Sequence, residues 1–459
     1  MNRFWTGVSA GAVAVLFAAG AARAETFSLG EALGVAYETN PQLDAQRAAL
    51  RATDENVAKA NGGWRPSINA QGQYGTHHYE FSGPGVPPGY TANTHPLQGQ
   101  VTLDQPIFRG GRTWAEIGQA KALVRAGRAQ LTGVEQSVLL SAVTAYMDVV
   151  RDQAIVNLRQ HNVDVLKKQL SATELQFKVG ELTRTDVAQS KARLAGAQSG
   201  LVTAQGQLAA SRANYEKVIG RPAETLAETT PLPAVPATLE AAEALADRQS
   251  PSLIAAQENE RAADYAVDDS TGALLPQVSL QAQYGYSAAQ SFAGVLAQPT
   301  TKSTSVIAQV TVPLYQGGAD EAGVRQAKQL HSQTQLNVVD ARRQARESVD
   351  AAWETYLSAR SAIASNEAQV EANKLAYEGV RREQEVGART ILDVLNAEQE
   401  LLNSQVAVVT SQRNAQVAAY QLLAATGQLT ARALDLKVKL YDPGAYYDDN
   451  AARWIGFGD

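Results

Sequence analysis

Two aspartates stand at matched places in the chain: Asp186 in VGELTRTDV (179–187) and Asp393 in VGARTILDV (386–394). The stretches lie 207 residues apart and agree at five of nine positions. In each, a threonine precedes the aspartate by three residues, Thr183 or Thr390. That spacing is a capping box: the hydroxyl accepts the N3 backbone N–H, and the carboxylate accepts the N–H of the threonine. Gly180 and Gly387 suit the left-handed position that ends a preceding helix. The local reading is therefore a helix-hairpin tip, written twice. A chemical reading lies beside it. Tips facing a symmetric pore would present one ring of carboxylates per aspartate, and such rings favour cations and gate.

Other chemistry is scarce. With no cysteine among 459 residues, disulfides, thiolate metal sites, Cys nucleophiles and a lipidated N-terminal cysteine are all excluded. There is no Ser-His-Asp arrangement, HExxH or Gly-rich phosphate loop, so neither catalysis nor a cofactor is expected. His77, His78 and His95 share one loop, and a polar external loop explains them without a metal. His161 and His331 fall in long helical stretches and are expected at a surface or lumen.

The elements that must carry these tips are legible from the ends inward. Residues 1–24 read as a secretory signal: Arg3, an apolar run Val8–Gly20, and the small-x-small site Ala22-Arg23-Ala24. Cleavage would remove Arg3 and Arg23 and take the formal charge from −6 to −8. A mildly acidic chain is a poor nucleic-acid binder. No later run has 18 apolar residues, which leaves a periplasmic protein or a strand-built outer-membrane one.

The chain is duplicated. WRPSINAQGQYG returns as LLPQVSLQAQYG at an offset of 210, and QPIFRGG (105–111) as VPLYQGG (312–318) at 207. Each half holds an N-cap and proline (Asn40-Pro41, Ser250-Pro251), a helix to about Gly62 or Gly272, and two alternating strands with a Pro/Gly-rich loop between. The loops are placed at 76–97 and 286–304, and Tyr74, Tyr79, Phe81, Phe108, Tyr284, Tyr286 and Tyr315 flank the strands as girdle or packing residues. A proline-free helical stretch follows, 111–179 or 318–386, with heptads from Ile117 to Ala145 and from Val149 to Phe177. A shorter return helix closes the half. The expected divisions are a first repeat 25–220, a crossover linker 221–250, a second repeat 251–427 and a tail 428–459 that either packs or stays disordered. Four strands cannot close a barrel, so membrane strands would require oligomers.

Signal, duplicated halves, two strand pairs and two tall hairpins with VGxxTxxDV tips together resemble the TolC family of outer-membrane efflux and type I secretion channels, over about Phe27–Gly427. The resemblance implies a mainly α protein with a small β part. It implies a homotrimer whose twelve strands form a β-barrel in outer-membrane lipid and whose coiled-coil hairpins form an α-barrel tunnel across the periplasm. It further implies a passive conduit recruited by a periplasmic adaptor and an inner-membrane ABC or proton-driven transporter. Thr185, Asp186, Arg389 and Asp393 match the family's closing positions. Gln384 stands where the linking tyrosine is expected, and Asn396 replaces the second constriction aspartate, so weaker cation selectivity and divalent block are expected. Val179, Gly180, Val386 and Gly387 match adaptor-docking positions. The absence of a lipidated cysteine tilts the reading toward type I secretion. The rivals are a periplasmic adaptor, which would carry one hairpin, and a coiled-coil scaffold, which would leave the alternating strands unexplained.

Overall fold

The computed structural model describes residues 27–227, 231–291 and 300–457; the signal segment lies outside them. The first repeat runs α1 (Leu29–Thr39), α2 (Pro41–Asn61), a 3-10 turn (Gly62–Trp64), β1 (Ser67–Tyr74), β2 (His77–Glu80), β3 (Thr91–Arg109), α3 (Arg112–Lys178) and α4 (Arg184–Ile219). The second runs α5 (Leu239–Gln249), α6 (Pro251–Gly272), β4 (Gln277–Ser291), β5 (Thr301–Thr311), α7 (Ala319–Glu385) and α8 (Ile391–Ala425). A short α9 (Ala445–Asn450) lies in the tail.

Local chemistry starts each element. Asn40 accepts from the N–H groups of Gln42 and Leu43, with Pro41 at the first helical position. Ser250 holds the equivalent place, but its hydroxyl pairs with that of Ser252 and caps nothing. The two long helices each span 67 residues, about 100 Å at 1.5 Å per residue. Along α3 the heptad positions Val124, Leu131, Val138, Ala145, Val149 and Val163 are buried, whereas Phe177 at the tip end is exposed. The main core joins α1 and the middle of α3 to α4, α8 and the tail, around fully buried Tyr146, whose hydroxyl donates to the carbonyls of Phe27 and Ala227.

The described strands form one antiparallel sheet in the order β1-β3-β4-β5, with β2 continuing the β1 path along β3. The strands reach further into both loops than the Pro/Gly content suggests. β2 pairs His77 with Thr94, and Tyr79, Phe81 and Tyr90 stack near the turn. Four strand paths remain, as expected.

Two boundaries change. Segment 221–250 is not all linker: α5 occupies 239–249, capped by Thr238, at an offset of 210 from α1. The second repeat thus begins near 239, and the prolines confine the crossover to the residues before it. The described part of the tail, 428–457, packs on the first half. Leu429 and Ala431 are buried, the Tyr441 N–H donates to the Tyr37 hydroxyl, and Tyr446 donates to Glu55. The guanidinium of Arg65, just before β1, donates to the carbonyls of Arg453 and Ala452.

Candidate functional site: the hairpin tips

Both tips fold as their residues dictate. At the end of α3 the Glu181 N–H donates to the Gln176 carbonyl and that of Gly180 to Phe177, with Gly180 at φ +86°. At the end of α7, Ala388 donates to Glu383 and Gly387 to Gln384, with Gly387 at φ +79°. This is a Schellman ending, and it needs the glycines. Thr183 and Thr390 then open α4 and α8 with complete capping boxes: the Asp186 and Asp393 N–H groups donate to the threonine hydroxyls at 3.3 Å, and each carboxylate accepts its threonine's N–H at 2.9 and 3.0 Å. Hydrogen bonds from the Thr390 hydroxyl and backbone hold the Asp393 carboxyl below its usual range, helped by Arg389. It is anionic at neutral pH. Replacing Thr390 with alanine is expected to cost about 1 kcal/mol, read as faster amide exchange confined to the start of α8.

The structure brings some of the sequence-flagged residues together and leaves others apart. Val179 and Val386 project at the tips, 67% and 81% exposed. Arg389 does not reach the other hairpin: its Nε donates to Glu383 of α7 at 2.9 Å, an exposed pair within one hairpin. Asn396 does join the two hairpins. Its Oδ1 accepts from the Arg193 guanidinium of α4 at 2.6 Å. Thr185 is exposed and Gln384 half-buried.

A further link between the hairpins lies near the tips, where α3 meets α8. Leu166 of α3 packs on Ile391 and Leu395 of α8, and beside them Asn162 of α3 donates to the Glu398 carboxylate of α8 at 2.9 Å. Glu398 is only 7% exposed. Burial pushes its carboxyl up to about 7, the Asn162 hydrogen bond opposing. The signal was present: Ile391, Leu395, Glu398 and Leu402 step by four, three and four, the spacing of one helix face. A carboxylate on that face is a buried one.

Among the described residues no helix is long and apolar enough to cross a membrane, and no group of acids and histidines is placed to hold a metal. The strands differ: every residue of β1, and all but one of β5, is exposed in the single chain.

A four-path sheet at one end of two tall coiled-coil hairpins defines a class, the outer-membrane channel protein. The family model described as "Outer membrane efflux protein" matches residues 32–221 and 243–428, the two repeats. The chain is 35% identical to outer membrane efflux protein BepC of Brucella suis over 93% of its own length and 91% of that protein's. It is 27% identical to alkaline protease secretion protein AprF of Pseudomonas aeruginosa over 66% and 64%. The fold matches the Campylobacter jejuni CmeC outer membrane channel with a TM-score of 0.77 at 16% identity, covering 92% of this chain and 89% of that one. The chain belongs to the outer membrane efflux protein family. It is an outer-membrane channel protein with a helical tunnel part, and not an enzyme. The adaptor and scaffold alternatives fall with that assignment.

Proposed function

We propose that three copies of this chain close their sheets into one twelve-stranded barrel and stack their hairpins into a tunnel, forming a passive export conduit. One observation carries this reading: within the chain, β1 and β5 are both edge strands. An open edge is not tolerated in lipid, and closure with further copies satisfies it. Thr185, Asp186, Gln384, Arg389, Asp393 and Asn396 form the periplasmic gate. Val179, Gly180, Val386 and Gly387 form the surface for a periplasmic adaptor, which brings an inner-membrane transporter as the energy source. A chain without cysteine carries no N-terminal lipid, which favours a type I secretion transporter over a multidrug one; BepC and AprF carry names of both kinds.

The test is single-channel conductance in a planar bilayer, with wild type beside Arg389→Ser. A small cation-selective conductance that grows when the Arg389–Glu383 pair is broken supports pore and gate. A conductance indifferent to Arg389 removes it from the gate. A folded preparation that never conducts removes the channel.

A further inference from the structure

We propose that the seam between neighbouring copies, which continues the register of the contact between the two halves of one chain, carries an ion pair of its own, Arg325 with Glu55 of the partner subunit. The inference rests on the assembly proposed above and adds its register and its charge code.

The duplication supplies the rule. Elements up to β1 map onto the second repeat by adding 210, and those from β3 onward by adding 207. Strand pairing obeys it. In the first repeat Ser67 pairs with Asp104, Ile68 with Leu103, Ala70 with Val101 and Tyr74 with Leu97. In the second, Gln277 pairs with Thr311, Val278 with Val310, Leu280 with Ala308 and Tyr284 with Thr304. All four pairs transform into one another without a slip.

The contact from first half to second is seen once, inside the chain, where β3 meets β4 and α3 meets α6. Its counterpart from second half to the next copy's first half is unfilled. The imbalance shows on the long helices. Of 67 residues each, α3 buries 23 and α7 buries four. Leu330, Leu336 and Val339 of α7 stay exposed.

Applying the offsets fills the seam. Val101 pairs with Tyr284 in the chain, so Ala308 pairs with Tyr74 of the partner subunit. Phe108 pairs with Val278, so Tyr315 meets Ile68 of the partner subunit; both are exposed in the single chain. Gly110 approaches Gly272 so closely that a Cβ on either would strike the other's carbonyl oxygen. Their counterparts, Gly317 at φ +67° and Gly62, are also glycines and have open space around them.

The last pair differs in kind. Gly118 makes room for the Tyr265 ring, whose nearest atom would lie 2.6 Å from an added Cβ. The counterparts are Arg325 and Glu55. Arg325 is exposed and makes no ion pair among the described residues. Glu55 uses Oε1 for the Tyr446 hydroxyl and keeps Oε2. The neighbouring pair is not kept either. Arg112–Asp269 at 3.0 Å maps onto Ala319, flanked by Asp320, and Lys59. The in-chain pair Arg125–Glu258 maps onto Ser332 and Ala48, so Arg325 and Glu55 are the opposite charges that the offsets bring face to face.

The absence of cysteine makes the test clean. Full-length protein carrying Ala308→Cys and Tyr74→Cys is oxidised in outer-membrane extracts, beside Ala308→Cys with Gly72→Cys, two residues out of register. Opposed strand residues lie within disulfide reach and shifted ones do not. The expected result is a reductant-sensitive covalent trimer from the first pair only. In parallel, Arg325→Glu is expected to lose the trimer band, and adding Glu55→Arg to restore it. Cross-linking by the shifted pair, or by neither pair in a verified trimer, overturns the register. An intact trimer with Arg325→Glu overturns the ion pair. A wild-type protein that is not a trimer takes the assembly reading down with both.

Discussion

Replacing Gly110 with alanine is expected to remove the protein from outer-membrane extracts. Gly110 turns the chain from β3 into α3 at φ +65°, and its missing Cβ would lie 2.2 Å from the Gly272 carbonyl oxygen and 2.9 Å from Leu275 Cβ. Left-handed backbone costs an L-residue roughly 1–2 kcal/mol. The clash with backbone adds an overpacking cost of about 1–3 kcal/mol, because neither strand nor helix end moves alone. A total of about 4 kcal/mol is a large share of a domain's stability. Gly111 is the control. It has φ +84° with nothing within 4 Å, so Gly111→Ala meets strain only, about 1 kcal/mol. Comparing folded protein in extracts and melting temperatures of the two variants separates strain from clash. Equal losses would show that crowding at Gly272 contributes nothing.

Glu398→Gln is expected to flatten the pH dependence of hairpin packing. The Glu398 carboxyl is raised from 4.5 to about 7 by burial. The packed state therefore holds a proton that the unfolded state has released between those values. By linkage, stability falls as pH rises from about 4.5 to 7, and is level above. The gap corresponds to roughly 3 kcal/mol of protonation-linked stability present in acid and absent at pH 8. A glutamine keeps an oxygen for the Asn162 amide and never ionises. At pH 8 the variant should be the more stable, and at pH 4 nearly equal to wild type. Thermal melts across that range decide it; parallel curves for the two proteins would place the titration elsewhere. Asp54 is a second contributor of the same sign. Buried at 2% exposure with no hydrogen-bond partner on either oxygen among the described residues, it is pushed up to about 6, chiefly by burial and against the pull of Arg128. Glu398→Gln therefore removes a part of the slope and leaves the part from Asp54.

Features written in one stretch of chain were readable there. Every donor in the Schellman ending and the capping box lies within five residues of its acceptor, so both tips follow from short stretches of chain. The long helices follow from an apolar step of seven without a proline. Features joining distant residues were not readable in the same way. Asn162 and Glu398 lie 236 positions apart; the helix face of Glu398 was visible in spacing, but not the donor that meets it. The Arg389–Glu383 pair, six residues apart and on either side of a helix end, is a contact that the tip motif alone does not name. Composition misled at 221–250, where four prolines obscured the eleven residues of α5.

The tail has a consequence for how the chain matures. Leu429, Tyr441, Tyr446 and Tyr447 cover helices that begin near residue 30, with Tyr447 and Ala451 closing over Val57, Ala120 and Val124. A polypeptide exported from its N-terminus delivers these covers last. Until they arrive, the first half waits with Glu55, Val57 and the Tyr37 hydroxyl uncovered. A product cut short after α8 would have both hairpins and every strand, and would still present open apolar patches to periplasmic chaperones and proteases. The tail thus closes the surface of the first helices, and a chain without residues 428–457 would leave Val57, Ala120 and Val124 without the cover of Tyr447 and Ala451.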